Sequence, residues 1–192
     1  MRLKTTLAPL IIGLFFFLVC TLSFAFFIQL LHQRISQAFA VGNLVAHQTV
    51  YMTRHSLLRA APRPANPQAF RADVAYALRS DTALRALMMQ SVRYSPNVLD
   101  VTIADNEDRA LVSTNLANLD KLLPARSEYS ELQKGGFFQL LNVAFGPARV
   151  YNVTLPLELD SQPFVTVRVG VSTGYLPPLS NPANRGNLAK LE

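Results

Sequence analysis

The chain has 192 residues, half of them hydrophobic, a formal charge of +6 and a single cysteine, Cys20. That length holds one ordinary domain plus an appendage, and one cysteine excludes an intrachain disulfide. The basic residues are scattered rather than clustered with aromatics, which gives a nucleic acid no groove to follow.

From Thr5 to Gln33 there is no Asp, Glu, Lys or Arg, and Leu7 to Ile28 is apolar apart from Thr21 and Ser23. As a helix, that stretch rises about 33 Å, enough to cross a hydrocarbon core of about 30 Å. It reads as a transmembrane anchor. Arg2 and Lys4 precede it with no acidic residue, and the positive-inside tendency then leaves the N-terminus in the cytoplasm and exports the remainder. A cleavable signal peptide has an apolar core of only about 7–15 residues, and this run continues past the small-x-small site Ser23-Phe24-Ala25. Val19 before Cys20 removes the small residue that a lipoprotein signal needs. The exported part carries 16 basic against 12 acidic residues, read as solvated helical faces.

The span runs without a helix breaker into residues 29–61. Leu31, Ile35, Ala38, Gly42, Val45, Thr49 and Met52 follow alternating steps of three and four, a seam of period 3.5. Such a seam can dock on a sheet or pair with a second copy of the chain. His32, His47 and His55 lie on this helix. His47 and His55 are about 12 Å apart along it, too far to share a metal, and no metal or cofactor is expected. Pro62, Pro64 and Pro67 end the helix. Phe70, Val74 and Leu78, four apart, predict a second helix. Asp81 caps a third that carries Leu84, Leu87, Met88 and Val92 and stops at Ser95-Pro96-Asn97.

Strand signals follow. Leu99, Val101 and Ile103 alternate with Asp100, Thr102 and Ala104, the period of a half-buried strand. Asp105-Asn106-Glu107-Asp108 turns the chain, and Ala110 to Thr114 makes a second strand. Ser127 to Lys134 predicts a short helix ended by Gly135-Gly136, and Phe137 to Phe145 reads as a third strand. Arg149 to Ser172 is a hairpin. Val153, Leu155 and Leu157 in one arm and Val165, Val167, Val169 and Val171 in the other alternate with a mixed face that includes Asn152, Thr154, Thr166, Arg168 and Gly170. Asp160-Ser161-Gln162-Pro163 supplies the turn. The expected fold is α+β, an N-terminal transmembrane helix continuing into a long helix packed on a five-stranded antiparallel sheet.

This layout, with SVRYSPNVLDVTIADNEDRALVST, VAFGPARVYNVTLPLELDSQPFVTVRVGVSTGYL and the preceding anchor, resembles the extracytoplasmic Cache domains. These are the PAS-like sensor modules of bacterial histidine kinases and chemoreceptors. The resemblance divides the chain into 1–28, cytoplasmic N-terminus and anchor; 29–61, signalling helix; 62–176, a single Cache-like domain; and 177–192, a polar tail. Asp108 stands where such hairpins often use Gly, and Asp tolerates the left-handed conformation that the turn needs. The resemblance implies a bacterial inner membrane, a ligand held between the sheet and the elements covering it, and pairing of two copies through the long helix. It also implies a signalling module that this chain lacks. The candidates for ligand contact are Arg93 and Tyr94 before the first strand, Asp100 and Thr102 on it, and Arg149 and Tyr151 entering the fourth. Paired arginines suit a carboxylate or phosphate.

No HExxH or Walker loop is present, and the exported part has no cysteine for a Cys-His pair, so no catalytic role is expected. The leading expectation is a membrane-anchored sensory domain for a small molecule. The alternative is an anchored periplasmic interaction or scaffold protein without such a ligand.

Overall fold

The apolar run and the helix after it form a single element, α1 (Leu3–Ala60), about 87 Å long at 1.5 Å per residue. The computed structural model describes residues 3–60, 67–136, 139, 141–143, 146–159 and 162–174. The linker prolines Pro62 and Pro64, the turn residues Asp160 and Ser161, and the polar tail lie outside the described residues. The N-terminal part of α1 is long and apolar enough to cross a membrane. Much of its surface is open among the described residues: Phe15, Phe16 and Phe17 are about 70% exposed.

From Ile35 onward α1 changes character. Ile35, Ala38, Gly42, Val45 and Thr49 are buried, with Ala46, Thr53 and Ser56 beside them. The seam read from the sequence therefore docks on the sheet, and it does so tightly. A Cβ on Gly42 would stand 2.6 Å from Val171 Cγ2 and 3.2 Å from Val153 Cγ2, so glycine is what lets the helix backbone approach the strands. Helices α2 (Pro67–Ser80) and α3 (Thr82–Tyr94) extend this layer, α2 against β2 and α3 against β1 of the sheet defined below. Asp81 caps α3 as expected, its Oδ1 accepting the backbone N–H groups of Ala83 at 2.9 Å and Leu84 at 3.1 Å. The Leu84 bond is the main cause that holds its carboxyl below the usual carboxylate range.

The sheet has four strands among the described residues: β1 (Val98–Asp105), β2 (Ala110–Ser113), β3 (Val150–Leu159) and β4 (Gln162–Ser172). All pairings are antiparallel and the order is β2-β1-β4-β3. Residues between β2 and β3 therefore carry the chain from one edge of the sheet to the other. Val165, Val167, Val169 and Val171 are essentially unexposed and form one core with α1, α2 and α3. The turn after β1 holds Asp108 at φ 61°, the left-handed conformation that its side chain tolerates.

The third of the five expected strands, Phe137–Phe145, is a correction. In the stretch Phe137–Phe145, Gln139 and residues 141–143 are helical, and the amide of Gly146 bonds the carbonyl of Asn142 at 2.8 Å. The remaining residues of that stretch lie outside the described residues. A short apolar run bounded by glycines fits a buried strand and a helical turn equally well, because periodicity cannot separate them at that length.

The short helix α4 (Tyr129–Gln133) sits inside the stretch expected for it and begins with a core residue. Tyr129 is 1% exposed. It stacks on Phe39 at 5.6 Å and meets Tyr151 edge-on at 5.8 Å. Its hydroxyl donates to the carbonyl of Ile35 on α1 at 3.1 Å. Burial, with Tyr151 as a smaller contribution, pushes its pKa up to about 12.

Candidate ligand cleft on the polar face

Antiparallel register and the two-residue side-chain period put opposite residues on one face. On the face turned away from α1, two rows cross the strands. One is Asn152, Gly170 and Asp100; the other is Thr154, Arg168, Thr102 and Ser113. Asp100, Thr102, Ser113 and Asn152 are all buried, which is costly for polar groups without partners. Partners are present. Thr102 and Ser113 share a hydrogen bond of 2.8 Å between their hydroxyls. Arg126 donates to both oxygens of Asp100, at 3.0 and 2.9 Å, in the bidentate geometry of a guanidinium on a carboxylate.

Arg126 arrives from the segment that crosses the sheet after a 3-10 turn at Leu116–Asn118. Ser127 then lies along the edge of β3, its carbonyl accepting the amide of Asn152 at 3.0 Å. To reach Asp100 the guanidinium passes over Gly170, where a Cβ would overlap both the Asp100 carboxylate and Arg126. Gly170 is thus the residue that lets the pair lie flat on the sheet. Two further contacts fasten the covering segment and the first turn to the sheet. Glu128 accepts the Thr154 hydroxyl at 2.5 Å, and Arg168 pairs with Asp108.

Between the sheet and this segment lies a cleft of about 380 Å³, lined by Glu107, Asp108, Leu123, Arg126, Glu128, Asn152 and Arg168 among others. That volume falls at the lower end of the ~300–1,000 Å³ of small-molecule pockets. A recess of about 10 Å³ continues it toward Asp100 and Thr102, which is room for about one water. The Nε of Arg168 is buried without a hydrogen-bond partner. A second hollow, about 70 Å³ between α1 and the end of the sheet, touches Arg34, Gln37 and Tyr129. It is too small for an organic ligand.

Of the residues expected at a ligand site, Asp100 and Thr102 line the recess together. The others lie elsewhere. Arg93 and Tyr94 are exposed at the end of α3, and Arg149 is exposed before β3. Tyr151 faces the helices, buried against Tyr129, because its cross-strand partner Val171 is on that face. Sequence reasoning passed over Arg126 and Glu128, which sit in an aperiodic stretch with no signal to find them. Asn152 and Arg168 did carry one: each interrupts a valine-rich strand on its polar face.

No protein-family model matches the chain, and no curated protein matches it. The cleft is therefore judged on its own chemistry.

Proposed function

We propose that the chain is a membrane-anchored extracytoplasmic sensory domain of the Cache type, the input region of a sensor histidine kinase, with its ligand in the cleft on the polar face. On this reading the single span lies in a bacterial inner membrane with Arg2 and Lys4 inside and the sheet in the periplasm.

The observation that carries the reading is the covalent and packed route from cleft to anchor. The segment that closes the cleft through Arg126 and Glu128 continues directly into Tyr129, which grips α1 through Phe39 and the Ile35 carbonyl. A ligand that binds better when the covering segment shifts would move Tyr129 and, with it, the helix that reaches the anchor. A ligand without that difference in affinity would transmit nothing.

The test is calorimetry and thermal shift of the full chain in lipid nanodiscs against a panel of organic acids, amines and amino acids. Spin labels at Arg34 and Glu158 report displacement of α1. Saturable binding with a changed label distance is expected. Absence of binding across the panel would overturn the reading.

A second reading, an anchored interaction protein, is favoured by a different observation. Leu44, Tyr51 and Leu58 recur every seven residues on the face of α1 turned away from the sheet, and all three are more than half exposed. A partner helix, including that of a second copy, would pack along that stripe. In a Cys20→Ser background, Leu44→Cys tests it: a disulfide-linked dimer in membranes is expected from self-pairing.

A further inference from the structure

The charges around the cleft select among ligands. Asp100, Glu107, Asp108 and Glu128 line the cleft and its recess against Arg126 and Arg168. Both guanidiniums are committed, Arg126 bidentately to Asp100 and Arg168 to Asp108. Glu107 is answered by Arg71 and Arg109, 3.4 and 3.7 Å away. Glu128 has no ion-pair partner among the described residues; its Oε1 accepts the hydroxyl of Thr154.

An anionic ligand that used Arg126 would have to take it from Asp100 and leave a buried carboxylate uncompensated, which is the costly way to break such a pair, and one that used the free Nε–H of Arg168 would meet the carboxylates of Asp108 and Glu128 in the same cleft. A cation breaks nothing and answers the carboxylate that has no counter-ion. We propose that the cleft takes a small organic ammonium compound, with Glu128 as its counter-ion. Arg126 then serves to hold the covering segment on Asp100, and it is not the reader of a ligand carboxylate or phosphate. The unpartnered Nε–H of Arg168 fits a ligand that carries an oxygen acceptor besides its ammonium group. This proposal rests on the reading of the cleft as a ligand site and adds the ligand's charge.

The full chain in nanodiscs is titrated with ethanolamine, putrescine and choline, and in parallel with acetate, succinate and inorganic phosphate. At least one amine is expected to bind saturably and more weakly as salt is added. Glu128→Gln, which keeps an acceptor for Thr154 and should melt unchanged, is expected to weaken binding roughly tenfold or more, as for a lost charge-assisted contact. Glu131→Gln, an exposed carboxylate on α4, is expected to leave binding unchanged. If succinate or phosphate binds and the amines do not, the charge assignment falls while the ligand-site reading stands. Silence from both series overturns both. Amine binding that ignores Glu128→Gln overturns the role given to Glu128.

Discussion

Asp100 has 5% of its surface exposed, and Arg126 donates to both its oxygens. Removing the cation leaves the carboxylate buried alone. Arg126→Ala is therefore expected to lower unfolding free energy by about 3 kcal/mol, the low end for a broken buried pair, since the Arg126 side chain keeps 22% exposure and water can partly replace it. Urea denaturation measures the change, and the double variant Asp100→Leu with Arg126→Met should recover most of it, because no charge is then left unpaired. Tyr129 sets a different dependence. Folding raises its pKa from 10.0 to about 12, so in that window the unfolded chain releases a proton that the folded chain keeps. Its contribution to stability is complete below about pH 10 and declines as pH rises to about 12, by at most ~1.4 kcal/mol per pH unit. Tyr129→Phe should flatten that decline in urea titrations between those pH values.

Among the elements, the contact of α1 with β3 and β4 depends on a missing side chain. Gly42 costs the helix about 1 kcal/mol of propensity relative to alanine, yet its hydrogen stands where a Cβ would meet Val171 and Val153. Gly42→Val is expected to destabilise the domain by about 1–3 kcal/mol through overpacking; thermal unfolding against the parent chain measures it. Elements with a strong local signature were legible before any coordinates. The valine alternation gave the hairpin, Asp81 gave a cap, and the seam of period 3.5 gave the buried face of α1. Where the signature is weak the reading failed: the apolar run around Leu141 has too few residues to distinguish a strand from a helical turn. The cleft was half legible for the same kind of reason. Asp100 and Thr102 lie on a periodic strand, whereas Arg126 and Glu128 come from a loop whose path is set by a long-range ion pair and by the space over Gly170.

For the molecule as a whole, the two parts of α1 live in different surroundings: the exposed Phe15, Phe16 and Phe17 in one, a packed seam in the other. If the exposed part is a span, charge at its centre should prevent integration, since an arginine there costs about 2.5–3.5 kcal/mol. Phe17→Arg combined with Leu18→Arg is expected to release the chain from membranes into the supernatant at high pH, while the parent chain stays in the pellet. Retention of the double variant would argue that α1 does not cross the bilayer. The grip of Tyr129 on the Ile35 carbonyl has one more consequence. Coupling between two sites is reciprocal, so if the proposed ligand tilts the rod, a bilayer that tilts the rod must act on that ligand in return. The same sample reconstituted in short-chain and long-chain lipids should then show two different affinities, and the Tyr129→Phe variant should show a smaller difference, because the helix is then held by the ring stack on Phe39 without the bond to the Ile35 carbonyl.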